Sequence, residues 1–112
     1  MQKTIKGNTL ILSLNGRIDA ATADTAKEIL MNAIKEHKGQ VLLDFCEVDY
    51  ISSMGLRVIL HVTQSVQKES RKIAFVSTKQ PVTALLQNTG FGLLFPMFPS
   101  MEKAKAEFIT LG

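Results

Sequence analysis

The chain is poor in cysteine, in aromatic residues and in charge of one sign. Among its 112 residues are one cysteine, two histidines and no tryptophan, and these residues do not stand at a spacing typical of a metal site. A disulfide scaffold and a structural zinc site are therefore excluded. A net charge of +3 with 6 % aromatic residues falls short of the basic surface of a nucleic-acid-binding protein. We expect no direct contact with nucleic acid.

Long hydrophobic runs and catalytic signatures are also missing. No apolar run approaches the roughly 18 residues that a membrane-spanning helix needs, and the first residues lack the hydrophobic stretch of a signal peptide. We therefore expect a cytoplasmic protein without membrane insertion. Neither a Gly-x-Ser-x-Gly elbow nor a Gly-x-x-x-x-Gly-Lys-Ser/Thr phosphate loop occurs. We therefore expect a protein without enzyme activity, with no catalytic residue, no cofactor and no metal.

The composition that remains is typical of a globular domain. Hydrophobic residues make up 46 % and charged residues 21 % of the chain, close to the average for soluble domains. The length is that of one domain on the usual prior of roughly 100 to 200 residues each. We predict one domain over residues 1–112 that folds alone.

Strand and helix patterns alternate along the chain. Hydrophobic periodicity and turn residues predict strands over 9–14, 41–45, 72–76 and 93–95, a hairpin partner before residue 9, and helices over 23–37, 52–68, 82–88 and 101–109. Thr22 and Ser100 are predicted N-caps, and Gly39 and Gly90 are predicted to end helices. The order ββαβαβαβα indicates an α/β fold.

The junction before the second helix is the first candidate for a functional site. Ser52 and Ser53 follow the strand most favoured for the centre of the sheet, where α/β folds commonly place recognition. A serine there is also an ordinary helix cap, stabilising by ~1 kcal/mol. Gly55 costs the helix ~1 kcal/mol relative to alanine, which predicts a close approach of another group. Three apolar residues surround the same turn, either closing the sheet or facing a partner: Tyr50, Ile51 and Met54.

Two segments resemble the signature motifs of the STAS domain family, the bacterial anti-sigma factor antagonists. The segment Val48-Asp49-Tyr50-Ile51-Ser52-Ser53-Met54-Gly55-Leu56-Arg57-Val58-Ile59-Leu60 is similar to the family's Asp-Ser-Ser/Thr/Ala-Gly-Leu motif, whose serine is phosphorylated by a partner kinase. The segment Leu14-Asn15-Gly16-Arg17-Ile18-Asp19 resembles the family's Leu-x-Gly-x-Leu/Ile-Asp. The two segments match in order and separation.

The resemblance implies a fold and a function. The fold would be a STAS-like single domain, with a mixed sheet of four to five strands and about four helices packed mainly on one face. The protein would dock on an anti-sigma factor serine kinase while Ser53 is unmodified and leave it once Ser53 is phosphorylated, which regulates transcription. A protein phosphatase would restore the unmodified form. The chain would act as a substrate of these partners and would need no cofactor of its own.

Site residues follow position by position from the same resemblance. Ser53 falls on the phosphoryl acceptor, and Asp19 on the acidic residue that lies beside it in space. The implied partner-binding residues are Asp19, Ser52, Ser53, Met54, Gly55 and Arg57. Three of them depart from the family pattern, because Ser52 stands where many members have aspartate, Met54 where they have a small residue or threonine, and Arg57 where many have glycine.

These departures leave alternatives open. The first is a regulatory or structural subunit of a stressosome-like or transporter-associated assembly, without a sigma-factor role. The second is phosphorylation of Ser52 in place of Ser53, since nothing local separates the two hydroxyls. The apolar stretch over 91–98 is interpreted as core and edge strand, and an exposed part of it could support a weak homodimer.

Overall fold

A five-stranded mixed sheet forms the centre of the computed structural model, which describes residues 1–109. The strands lie side by side in chain order: β1 Gln2–Lys6, β2 Thr9–Ile18, β3 Gln40–Ile51, β4 Ile73–Val76 and β5 Met97–Phe98. β1 pairs antiparallel with β2, and all later pairs are parallel. The hairpin turn between β1 and β2 uses Gly7 at φ +57°. The predicted α/β fold and its opening hairpin are confirmed.

Helices cover both faces of this sheet unequally. They are α1 Ala23–Glu36, α2 Ser53–Lys68, α3 Gln80–Asn88, α4 Phe91–Leu94 and α5 Met101–Ala104, which continues as a π-helical turn over Lys105–Ile109. The first four pack on one face and the last on the other. The prediction of helices mainly on one face is confirmed. Within residues 1–109, no helix combines the length and the apolar character needed to cross a membrane.

Alternating strand residues pack into two separate cores, one on each face of the sheet. Along β2, Leu10, Leu12 and Leu14 join the core beneath the four helices, whereas Ile11 joins the core beneath α5. The α5 side is anchored by Phe108, which is buried. Because the central strands are covered on both faces, β3 begins as a nearly unbroken apolar run in the sequence.

The predicted strand over 93–95 is wrong. Gly90 takes a left-handed conformation at φ 91° and starts a single helical turn, α4. Phe91 and Phe95, four residues apart, both turn inwards and lie 5.5 and 5.6 Å from the ring centroid of Phe75. A spacing of four is helical, and the short apolar run was misread because helix and strand cannot be told apart over so few residues.

Arg71 fastens the end of α1 to the rest of the domain. Its guanidinium group donates hydrogen bonds to the carbonyl oxygens of Gly39 (2.8 Å), Ile34 (3.0 Å) and His37. The carboxylate of Glu69 accepts a further bond at 2.8 Å. The last carbonyl groups of a helix have no partners within that helix. The nearly buried Arg71 side chain, 6 % exposed, therefore supplies donors that water cannot.

Replacing Arg71 by methionine should lower the free energy of unfolding by about 3 kcal/mol, because carbonyl groups around it lose their donors in a site that excludes water. Urea denaturation of the purified protein measures this loss. Lys72→Met is the matched control, since the neighbouring side chain is exposed and its loss should change stability by less than about 0.5 kcal/mol. Equal effects of the two substitutions would contradict the role given to Arg71.

Candidate functional site

The candidate site lies where β2 and β3 end beside each other. Ile18 and Ile51, at the ends of the two strands, are register partners in the parallel pair. The backbone N–H of Ser52 then donates to the carbonyl oxygen of Ile18 at 2.9 Å. This bond holds the start of α2 against the loop that follows β2. The carboxyl ends of parallel strands are where α/β folds commonly place their sites.

The two serines at this junction have different surroundings. Ser52 is the N-cap of α2, and its hydroxyl accepts a hydrogen bond from the N–H of Gly55 at 3.2 Å. Ser53 is the first residue of the helix and is exposed. Within residues 1–109, its hydroxyl takes part in no hydrogen bond. The capping function predicted for this pair therefore belongs to Ser52, which leaves the Ser53 hydroxyl accessible.

Gly55 has the close neighbour that its place in the first turn predicted. A Cβ atom there would overlap the carbonyl oxygen of Ile18 and would lie 2.9 Å from Cγ2 of Ile51. Glycine is thus required by packing, because backbone atoms of β2 occupy the space of a side chain. Gly55 is buried, and its contact with a partner stays a prediction.

Gly55→Ala should destabilise the protein by about 2 kcal/mol, although alanine is the better helix former by ~1 kcal/mol, because the new methyl group meets backbone that cannot move cheaply. Thermal and urea unfolding measure the change. The control is Gln64→Ala at an exposed position of the same helix, where the effect should be close to zero. A neutral or stabilising Gly55→Ala would show that α2 can shift away from β2.

Asp19 anchors the loop between β2 and α1. Its carboxylate accepts hydrogen bonds from the N–H of Ala21 at 3.0 Å and from Nε of Arg17 at 3.2 Å. Its carbonyl oxygen accepts from the N–H groups of Thr22 and Ala23 at 3.1 and 2.8 Å. The Asp19 side chain is 26 % exposed, so it is less open than a free loop carboxylate. It both orders the loop and faces the junction.

Thr22 occupies the N-cap position of α1 as predicted, but its hydroxyl does not cap the helix. The hydroxyl accepts from the N–H of Asp19 at 3.0 Å and donates to the carbonyl oxygen of Arg17 at 2.8 Å. The predicted capping bond is therefore wrong. The competing interactions within the loop satisfy the hydroxyl group first, as short polar side chains at turns often do.

Arg17 is the site residue that the sequence interpretation missed. Its guanidinium carbon lies 4.3 Å from the centroid of the Tyr50 ring, its register partner on β3. The hydrogen bond and charge of Arg17 hold the pKa of Asp19 below its usual range. Strand alternation places Arg17 and Asp19 on one face, and this alternation can be recognised in the sequence. The contact of Arg17 with Tyr50 depends on the register between β2 and β3, which the sequence does not reveal.

One shallow depression brings most of the predicted site together. It is lined by Arg17, Asp19, Ala20, Ala21, Tyr50, Ser52, Ser53 and Met54. Four of the six predicted partner-binding residues therefore share one surface. Tyr50 and Met54 are 44 % and 43 % exposed, so they face outwards, whereas Ile51 is buried. Arg57 is exposed on α2, one turn after Ser53 and outside this lining.

A second groove borders Ser53 on its other side, between α2 and α3. It is lined by Asp49, Tyr50, Ile51, Ser52, Ser53, Leu56, Pro81, Val82 and Leu85. Asp49 forms an ion pair with Lys79 at 2.6 Å, which raises the pKa of Lys79. Ser53 thus stands between the depression that contains Arg17 and Asp19 and a more apolar groove that contains Asp49. The carboxylate on each side has its own cation.

The remaining reactive residues do not join this site. Burial and the nearby Asp44 carboxylate raise the pKa of Cys46 to about 11, so the thiol stays protonated near neutral pH. Cys46 is partly buried and packs against the core beneath α5. His61 is exposed on α2. Within residues 1–109, no group of three or more His, Cys, Asp or Glu side chains could hold a metal ion.

Arg17→Gln should raise the pKa of Asp19 towards its ordinary value, because the carboxylate loses the cation that stabilises its charged form. Carboxyl carbon shifts followed by NMR titration measure this change, with Arg57→Gln as a control of equal charge. Since folding lowers this pKa, its stabilising effect is full above the unfolded-state pKa and disappears as the pH falls through the folded-state value. An unchanged Asp19 pKa in Arg17→Gln would show that the ion pair is not formed in solution.

The whole of this architecture corresponds to a known family. Residues 1–104 match the STAS domain, and the chain therefore belongs to the STAS domain family. "Putative anti-sigma factor antagonist BtrV" of Bordetella bronchiseptica is 33 % identical over 101 residues, which cover 90 % of this chain and 87 % of that protein. An "Anti-sigma F factor antagonist" of Paenibacillus polymyxa is 25 % identical over 99 residues, or 88 % and 85 % of the two chains.

Solved structures share the same fold at lower sequence identity. The Thermotoga maritima protein tm1081 superposes with a TM-score of 0.86 at 20 % identity, covering 95 % of this chain and 92 % of its own. A sulfate transporter family protein of Wolinella succinogenes gives 0.80 at 21 %, covering 97 % and 91 %. Phosphorylated SpoIIAA of Bacillus gives 0.69 at 15 %, covering 92 % and 94 %.

Proposed function

We propose that this protein is an anti-sigma factor antagonist whose binding to a kinase-type anti-sigma factor is switched by phosphorylation of Ser53. The unmodified protein docks on the anti-sigma factor and frees the sigma factor, in the cytoplasm where transcription takes place. The names of the two relatives support the antagonist role. The observation that carries the switch is the exposed Ser53 hydroxyl, which stands at the start of α2 beside the Asp19 loop.

The docking surface would consist of the depression and the groove that flank Ser53. Tyr50 and Met54 supply exposed apolar area near its centre, and such residues suit a surface that adapts to a partner. Asp19, Ser52 and Arg57 would supply polar contacts around them. Gly55 contributes by keeping α2 close to β2, so that the surface retains its shape.

The phosphoryl transfer would use chemistry that the kinase supplies. Oγ of Ser53 forms a bond to the γ-phosphorus of ATP, and the bond from that phosphorus to the bridging β-γ oxygen breaks as ADP leaves. The hydroxyl proton passes to a basic group of the kinase, which also holds the magnesium ion. A phosphatase would later hydrolyse the phosphate ester with water and restore the hydroxyl.

Phosphorylation would lower affinity without unfolding the domain. A phosphoserine adds about −1.5 to −2 charge at neutral pH to a side chain that already projects into solvent. In the free protein the new charge lies at the positive end of α2, where water and neighbouring groups can stabilise it. In the complex it would lose water on a surface that also carries the Asp19 carboxylate, and like charges close together in a buried interface can cost several kcal/mol. The unfavourable term therefore arises at the interface.

The hydrogen bonds at the junction favour Ser53 over Ser52 as the acceptor. The Ser52 hydroxyl is engaged with the N–H of Gly55 and is partly buried. A phosphate there would break the cap of α2, whereas one on Ser53 replaces no bond within residues 1–109. We therefore assign the modification to Ser53.

Ser53→Ala should bind the cognate anti-sigma kinase with unchanged affinity and accept no phosphate, because the variant keeps the surface but lacks the hydroxyl. Ser53→Asp and Ser53→Glu should bind at least about ten-fold more weakly, because a charge repulsion of about 1.4 kcal/mol or more at the interface lowers the affinity by that factor. Calorimetric titration measures affinity, and mass spectrometry after incubation with ATP and magnesium locates the phosphate.

The matched control for this experiment is Ser52→Ala. It should still be phosphorylated at residue 53 and should lose only ~1 kcal/mol of stability through its missing cap. Phosphate found on Ser52, or acidic variants of Ser53 that bind as well as the unmodified protein, would contradict the proposal.

The alternative function is that of a regulatory subunit in a transporter-associated or stressosome-like assembly. The Wolinella protein supports it only at the level of fold, at 21 % identity. The same phosphorylation assay separates the two functions, because the alternative requires no transfer from an anti-sigma kinase. A weak homodimer stays a separate prediction, because Leu93 and Leu94 are 91 % and 71 % exposed and offer apolar surface for a second copy. Analytical ultracentrifugation tests it.

A further inference from the structure

We propose that Arg17 is the residue that holds the phosphate of modified Ser53. The inference rests on the proposed function, since it concerns the phosphorylated state of the same site. It adds a positioning role for a side chain that lies on β2, outside the segment that carries the serine. Arg17 and Ser53 line the same depression. The free donors of Arg17 and the charges around it favour their pairing once Ser53 is phosphorylated.

The terminal nitrogens of Arg17 are available as donors. Its Nε atom donates to Asp19 at 3.2 Å, while the two Nη atoms donate to no group within residues 1–109. Tyr50 supports one face of the guanidinium plane at 4.3 Å, which leaves the edge of the group open. A guanidinium group with free N–H groups along one edge can donate two parallel hydrogen bonds to the oxygens of a phosphate.

The Arg17 side chain also has freedom to adjust. It is 61 % exposed, so it can turn about the Tyr50 ring without disturbing the core. Phosphoserine carries more negative charge than the carboxylate of Asp19 and offers three acceptor oxygens. The guanidinium group can therefore share its donors with the phosphate, or move towards it, when the modification arrives.

The other charged groups near Ser53 are placed less favourably. Lys79 lies on the groove side and is already paired with Asp49 at 2.6 Å. Arg57 is exposed one turn along α2 and lies outside the depression. The first turn of α2 holds no acidic residue. Among the residues that line the depression, Asp19 is the one with a carboxylate. Arg17 is thus the cation of the depression itself.

The test measures the second pKa of the phosphate on protein carrying phosphoserine at position 53, introduced by genetic encoding or chemical ligation so that no kinase is required. Phosphorus NMR titration follows this pKa, which is about 6 for an unperturbed phosphoserine. Arg17→Gln should raise it by roughly half a unit or more, because the dianion loses its cation. Arg17→Lys should produce a smaller rise, since the charge remains but the fork is lost.

Arg57→Gln is the matched control, because it removes an equal charge from the same surface. It should raise the phosphate pKa by less than half as much as Arg17→Gln does. Equal shifts for the two variants, or no shift for Arg17→Gln, would overturn the proposal, because the effect would then be general or absent. Melting curves of all variants verify that each one is folded.

Different results would refute the role of Arg17 and the proposed function. Failure of an anti-sigma kinase to phosphorylate the chain would refute the switch and leave the measured phosphate pKa values intact. Identical titrations of Arg17→Gln and Arg57→Gln would remove the role of Arg17 and leave the binding data for Ser53 variants standing.

Discussion

The candidate site depends on the carbonyl oxygen of Ile18. This atom accepts a hydrogen bond from the N–H of Ser52 and occupies the space that a side chain at residue 55 would need. The end of β2 and the start of α2 are thereby held at one point, although Ile18 and Ser52 are 34 positions apart in the chain. Asp19 is the next residue after Ile18. The loop carboxylate and the exposed serine are therefore neighbours because one backbone group joins their elements.

Around this point the charges are arranged in pairs. Asp19 is paired with Arg17 and Asp49 with Lys79, so each carboxylate near Ser53 has its own cation. Most of these side chains are well exposed, and such pairs contribute little to folding. Their importance lies in the electric field at the surface, where the proposed phosphate on Ser53 would change the balance of charge. The proposed switch would change which partner the surface binds and would leave the packed cores below it unchanged.

Local patterns predicted the repeating elements well. The hairpin, the central strand, α1 and α2 follow from apolar spacing and turn residues, and both motif segments lie at the junction that the fold brings together. The strand predicted over 93–95 failed because a short apolar run carries no clear period. The predicted cap by the Thr22 hydroxyl was wrong because that hydroxyl bonds to the N–H of Asp19 and the carbonyl oxygen of Arg17 within the loop.

The sequence by itself determined the fold class, the family resemblance and the two segments that meet at the site, since these depend on residue type and spacing along the chain. Tertiary structure alone decided which serine is free and why residue 55 has no side chain. It also placed Arg17 on Tyr50, through a strand register that relates residues far apart in the chain. The physical reason is that capping, steric exclusion and ring stacking act through distances in space, which the order of residues does not state.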